Sequence, residues 1–428
     1  MFFKSLSKYV SQQALLFKSL KKAKSLGKNH SILTSLKAST FSSLLLSNRN
    51  VISENHHQYQ DDQGSYNNSH SCVLLSIFGA LASGLSIMVL CDTIPQQSHS
   101  ENASLHFSFI QYPSNNPIED RWSVYQLKAL PGSITAVFDG HGGWQMAEFA
   151  RKHLAKEIDE RLGANKNKSF SSTDEYIITS IQEGFDQVEN NFLEAARVAY
   201  NIGYGKVGGV GSCALLTLTH NGKIYVANLG DCQGVICKSD DNGGKVSLRK
   251  INKKLNANSK KEQERLRRIF KEEENNIVIC RENDRKSCYV KGRLQPTRAF
   301  GDFDMKHEGF NNPSNLSREY GFYRKFEIFK GNYVTHKPEI SVFDVEKDDK
   351  YLVLSTDGMW DELSRDDVRL IIEGGKGKNK QNITEELLNL ALKKAAEKKN
   401  ITEEEIKAIK VGSRRDHHDD MTIVIVDL

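Results

Sequence analysis

No two of the seven cysteines (Cys72, Cys91, Cys213, Cys232, Cys237, Cys280 and Cys288) stand in a Cys-x-x-Cys pair, and their spacing follows no regular framework. That excludes the disulfide scaffold of a small secreted domain and fits a reducing compartment or indifference to redox. Acid is missing from the first 53 residues, which hold eight Lys and one Arg, so the rest of the chain carries 50 basic against 54 acidic residues. A mildly acidic body argues against nucleic-acid binding, although the whole chain has a formal net charge of +5. There is no internal repeat. At 428 residues the chain has room for one large domain or two ordinary ones.

Residues 1–53, opening MFFKSLSKYVSQQALLFKSLKKAKSLGK, mix Ser and Lys with Leu and Phe at roughly helical spacing. This is the profile of a mitochondrial transit peptide, an amphipathic cationic helix drawn by a negative-inside potential; a disordered basic tail is the alternative. Residues 54–72 read as a polar linker. Residues 73–91, VLLSIFGALASGLSIMVLC, form an uncharged run of nineteen, enough to cross about 30 Å of hydrocarbon as a single transmembrane helix. The competing reading is a buried core helix. Gly79 and Ser83 hint only weakly at close approach of two such helices, and the oligomeric state stays open.

From residue 104 to 428 the pattern is globular. Strands are expected at 134–138 (ITAVF), 213–219 (CALLTLT), 223–228 (KIYVAN), 351–356 (YLVLST) and 422–428 (TIVIVDL), all rich in β-branched or aromatic residues. Trp144, Ala147, Ala150, Leu154 and Ile158 line one helical face, and Ile177, Ile181, Phe185, Val188 and Phe192 another. Asn221-Gly222 between two strand runs reads as a tight hairpin turn. Hairpins mixed with helical pairs argue for an α+β fold, and the charged, weakly patterned stretch 240–290 for a partly helical surface flap.

The acids sit where strands end. Asp139 follows an apolar strand in VFDGHGG, Asp357 another in LVLSTDGMWDE, Asp231 closes a hairpin strand in VANLGDC, and Asp419 precedes the last strand. Any one Asp-Gly taken alone is an ordinary turn. Together, four carboxylates at neighbouring strand mouths would repel and drive one another towards protonation unless divalent cations offset them. All-oxygen ligation suits Mg²⁺ or Mn²⁺. Glycine after Asp139 and Asp357 would free the backbone to turn and could offer the Gly140 carbonyl as a further ligand. These features name a metal site and not yet a reaction.

In order, VFDGHGG, GSCALLTL, NLGDC, LQPTRAFGDFDMK, STDGMWDELS and DDMTIVIV resemble the metal-dependent protein phosphatase (protein phosphatase 2C) family over essentially all of 104–428. Within it, NNPIEDR at 115–121, the charged flap and FKGNYVTHKPEISVF are similar to the pyruvate dehydrogenase phosphatase branch. The resemblance implies an α-β-β-α sandwich of two antiparallel sheets, and hydrolysis of phosphoserine or phosphothreonine in a phosphoprotein substrate. It further implies that Asp139 bridges two catalytic ions, Asp357 and Asp419 complete one shell, and the Gly140 carbonyl binds the other ion. Glu119 would hold metal-bound water, Asp231 and Asp361 with Asp357 would serve a weaker third ion, and His141 would act as general acid. His141 could instead merely orient water. Direct hydrolysis of this kind needs no reactive cysteine.

Two places depart from the family pattern. Asn115 stands four residues before Glu119, where many members carry an Arg that grips phosphate, leaving Arg121 and Arg298 as candidates; Arg298 could equally be a structural ion-pair partner. Asp420 replaces a frequent Asn, either adding charge beside the site or standing as a solvated surface acid, and His417 and His418 read as loop residues. A catalytically inactive, membrane-tethered scaffold is the alternative function, weighed against by the retained Asp139, Asp357 and Asp419; a hydrolase of small phosphoesters is a third reading. Targeting conflicts with substrate. A matrix presequence followed by a stop-transfer helix would leave the domain in the intermembrane space, whereas pyruvate dehydrogenase lies in the matrix.

Overall fold

The structure is a computed structural model that describes residues 106–239, 245–281, 284–311, 326–375 and 380–428. The basic segment 1–53, the linker 54–72 and the apolar run 73–91 lie outside the described residues. Among those described, no helix is long and apolar enough to cross a membrane.

Strands β1 (Phe107–Tyr112), β2 (Arg121–Gln126) and β3 (Ser133–His141) lead into helices α1 (Gln145–Asn165) and α2 (Thr173–Asn201). Helix α2 starts where the Ser172 hydroxyl accepts the Glu175 N–H at 3.1 Å, and it buries Ile177, Ile181, Phe185, Val188 and Phe192. Strands β4 (Gly211–His220) and β5 (Lys223–Leu229) form a hairpin through Asn221 and Gly222, whose φ of 47° and 71° are both positive, as a tight primed turn requires. Then come β6 (Gln233–Lys238), β7 (Ser247–Lys250), α3 (Lys260–Ile269), β8 (Val278–Arg281), β9 (Asp284–Val290), β10 (Phe300–Gly301) and the single turn α4 (Phe303–Lys306). The chain closes with β11 (Glu339–Asp344), β12 (Asp349–Ser355), α5 (Asp357–Trp360), α6 (Arg365–Gly374), α7 (Lys380–Lys398), α8 (Glu403–Ala408) and β13 (Met421–Asp427).

Two antiparallel sheets result, ordered β1-β13-β12-β6-β7 and β11-β5-β4-β3-β2, with β10 attached to β4. Period-two alternation gives each strand two apolar faces here. Val137, Leu215, Ile224 and Val226 of one sheet meet Ile236, Leu352, Leu354 and Val424 of the other. The opposite face of the first sheet packs Ile134, Phe138 and Leu216 under α1 and α2, and that of the second packs Val353, Ile423 and Ile425 under α6 and α7. A fully buried Leu or Phe contributes about 1.5–3 kcal/mol, so sheets covered on both faces leave charged side chains a place only at strand ends.

The stretch expected as a flap is more ordered than its composition suggests. Strand β7 joins a main sheet, while α3 and the β8–β9 hairpin enclose a separate small core of Leu266, Ile277, Val290, Met305 and Tyr333. Across that hairpin Cys280 pairs in register with Cys288 and forms a disulfide, Cα to Cα 3.9 Å. The expectation of a reducing compartment or indifference to redox did not foresee this bond, because cysteines eight apart become neighbours only through hairpin register. Cys213, Cys232 and Cys237 are free and buried.

Candidate metal centre

Strand β3 does not stop at its apolar stretch. It runs on through Asp139, Gly140 and His141, opposite Cys213, Ser212 and Gly211 of β4, so Asp139 is a strand residue held by ladder pairing. Asp231 follows β5 across Gly230, and Asp357 opens α5 just after β12. Freedom to turn is not what Gly140 and Gly358 supply, since neither has a positive φ. A Cβ at Gly140 would stand 2.5 Å from the Glu119 carbonyl oxygen, and one at Gly358 2.0 Å from that of Asp420. Both glycines let distant backbone segments touch, which gathers the strand ends into one cleft.

Carboxylate oxygens of Asp139, Asp231 and Asp357 lie within 4.8 Å of one another. Asp231 is buried, and its two oxygens accept from Cys213 Sγ at 3.3 Å and Asn256 Nδ2 at 3.0 Å. Burial pushes the Asp139 carboxyl well above the usual range, and the charges of Asp120 and Asp231 push it further. Asp357 is raised in the same way, by burial first and then by Asp139, Asp231 and Asp361. Such a group is short of positive charge. Its donors are oxygens, and burial also pushes the Cys213 thiol up, so no thiolate competes. The residues present therefore fit a hard divalent ion such as Mg²⁺ or Mn²⁺.

Beside this group, His141 Nε2 lies 2.9 Å from both carboxylate oxygens of Asp302. Burial alone would lower the imidazole pKa, but the carboxylates of Asp302, Asp231 and Glu119 together outweigh it and the net shift is upward. Asp302 escaped the sequence reading although it stands in LQPTRAFGDFDMK: β10 before it has only two residues, so no apolar strand announces the acid. Asp120 escaped too, beside Glu119. It is buried, accepts from Thr356 Oγ1 at 2.7 Å, and is pushed up to about 7 by burial and by Asp420. Glu119 is likewise raised by burial and Asp420, with His141 and Arg415 opposing.

Asp361 and Asp419 stand outside the group of three, each with its own cation. Lys254 Nζ lies 2.9 Å from Asp361 Oδ1, and Arg415 pairs with Asp419. The two proposed phosphate-binding arginines are engaged elsewhere. Arg121 donates to Glu148 Oε2 at 2.7 Å and to the carbonyls of Ile118 and Asp120; Arg298 donates to Glu262 Oε1 at 3.2 Å and to the Lys337 carbonyl. Asp420 is no surface acid: it is buried and accepts the backbone N–H groups of Ser114, Asn115 and Glu119. His418 is buried against the Tyr112 ring, centroids 5.5 Å apart, and neither it nor His417 joins the acid group.

The family model described as Protein phosphatase 2C matches residues 115–400. Probable protein phosphatase 2C 79 of Arabidopsis thaliana is similar, 28% identical over 329 residues that cover 75% of this chain and 80% of that protein. Probable protein phosphatase 2C 28 of Oryza sativa subsp. japonica is 28% identical over 328 residues, 75% of this chain and 77% of that protein. In fold, the crystal structure of a serine-threonine phosphatase 2C from Toxoplasma gondii superposes with a TM-score of 0.53 at 16% identity, covering 77% of this chain and 96% of that one.

Proposed function

We propose that this chain, which belongs to the protein phosphatase 2C family, hydrolyses phosphoserine and phosphothreonine in proteins at the cleft formed by Asp139, Asp231 and Asp357. The observation that carries this reading is the convergence of those three carboxylates within 4.8 Å beside His141. Asp139, Asp357 and Asp419, with the Gly140 carbonyl, would hold Mg²⁺ or Mn²⁺, and Glu119, Asp231 and Asp361 flank them. When bound, such ions acidify the attacking water and offset charge on the phosphate oxygens. His141 holds its Nε2 against Asp302, and in the protonated ring Nδ1 would have the proton to give the departing serine or threonine oxygen. Arg121 and Arg298 are tied to Glu148 and Glu262; Arg415, paired with Asp419 but with its side chain 53% exposed, is a further guanidinium that could turn to substrate phosphate.

Motifs NNPIEDR and FKGNYVTHKPEISVF, and the Asn at position 115, support a substrate like that of pyruvate dehydrogenase phosphatases. Residues 1–53 and 73–91 support a mitochondrial, membrane-anchored placement. The test is release of phosphate from a phosphopeptide with Mn²⁺ or Mg²⁺, using Asp139→Asn and Asp357→Asn as controls. Each substitution is expected to reduce kcat by more than the roughly hundredfold that loss of a supporting outer partner brings. Activity surviving EDTA or either substitution would sink the metal reading, no activity in the parent would favour the scaffold, and preference for small phosphoesters would redirect the substrate class.

A further inference from the structure

We propose that Lys254 is a built-in counter-cation of the Asp361 end of the cleft, so that a tethered ammonium occupies the place where a divalent ion would otherwise bind. The proposal rests on the metal reading above. Lys254 lies between β7 and α3 with Nζ 2.9 Å from Asp361 Oδ1. It shares a cavity of about 420 Å³ with Asp231, Asp357 and Asp361, and both Asp357 and Asp231 act on it electrostatically at longer range.

The main chain on both sides of Lys254 is fixed by hydrogen bonds, which anchors the base of its side chain beside the cleft. Asn228 Nδ2 donates to the Lys253 carbonyl at 2.7 Å, the Leu255 N–H to the Gly230 carbonyl at 2.8 Å, and the Thr297 N–H to the Leu255 carbonyl at 3.1 Å. Gly230 directly precedes Asp231, so the segment carrying the cation is stitched to the strand end carrying an acid it faces. Stability does not explain the arrangement, because an ion pair with side chains 32% and 58% exposed contributes little. Its consequence is competition. Any divalent ion approaching Asp361 must displace the ammonium or sit against its charge, whereas Asp139 has no such partner among the ion pairs of the described residues. A divalent ion is thereby disfavoured at Asp361, and that outer acid stays neutralised without one.

The experiment counts Mn²⁺ bound to the metal-free full-length protein by titration calorimetry and equilibrium dialysis, for the parent, Lys254→Gln, Lys254→Arg and Lys254→Gln/Asp361→Asn. The expected result is one more Mn²⁺ in Lys254→Gln, or an outer ion bound roughly tenfold tighter, with the inner sites unchanged. Lys254→Arg should retain the parental count, and the double variant should lose the added ion; thermal melts establish that each variant is folded. Superimposable isotherms for the parent and Lys254→Gln would overturn the proposal while leaving the metal reading intact. A parent that binds no Mn²⁺ would overturn the metal reading, and the proposal with it.

Discussion

Asn115 Nδ2 donates to Asp420 Oδ2 at 3.0 Å, so the two positions at which this sequence departs from its family's common pattern are hydrogen-bonded to each other. An Asn at 420 would offer one acceptor oxygen where four donors converge. The departures form one clamp between the 114–119 loop and the residue that leads into β13. Asp420→Ala is expected to cost about 3 kcal/mol, since buried N–H groups lose a charged acceptor, and Asp420→Asn distinctly less. Denaturant unfolding measures both, and a change within about 0.5 kcal/mol for the alanine variant would refute the clamp.

Metal binding should register as stability. Mn²⁺ at about a hundred times its Kd is expected to stabilise the folded protein by about 2.7 kcal/mol, because only the folded chain gathers the carboxylates of Asp139, Asp231 and Asp357 into one site. In Asp139→Asn the Tm increment on adding Mn²⁺ should largely vanish. An equal increment in parent and variant would place the ion elsewhere.

Asp302 acts through His141. Removing its charge in Asp302→Asn takes away the largest of the carboxylate interactions that raise the imidazole pKa, beside those of Asp231 and Glu119, so the protonated form is lost at lower pH than in the parent. The alkaline limb of kcat should therefore move to lower pH, and kcat at and above neutrality should fall with KM little changed. Nδ1 and Nε2 chemical shifts of His141 would report the same displacement. An unmoved alkaline limb would leave Asp302 a purely structural partner.

Asp304 gives a pH dependence of the opposite kind from a paired surface acid. Burial and Asp302 push it up to about 7 from 3.8, against the Arg293 guanidinium at 3.5 Å. Below about pH 4 both folded and unfolded states keep the proton; between about 4 and 7 only the unfolded state ionises, so stability falls as pH rises and the full loss is present above about 7. Asp304→Asn stays neutral throughout, and is expected to raise Tm at about pH 8 while matching the parent at about pH 4. Equal shifts at both pH values would show that ionisation is not the cause.

Legibility in the sequence followed the range of the forces. Apolar alternation in ITAVF, CALLTLT and TIVIVDL foretold β3, β4 and β13, the spacing of Ile177 to Phe192 foretold the buried face of α2, and Asn221-Gly222 foretold a hairpin, all of them effects acting within a few residues. Strands β1, β2, β6, β7 and β11 were passed over: β1, β2 and β11 sit at or near sheet edges, mostly half-buried, and their pattern is mixed. Ordered motifs made the family and its aspartates readable. What no local pattern could give was the pairing of those charges. That Arg121 and Arg298 are tied to Glu148 and Glu262, that His141 leans on Asp302 and Asp361 on Lys254, depends on which strand ends and loops meet. Electrostatic partners are chosen by distance in space, and only the closing of the two sheets brought residues up to about 300 positions apart within a hydrogen bond of each other.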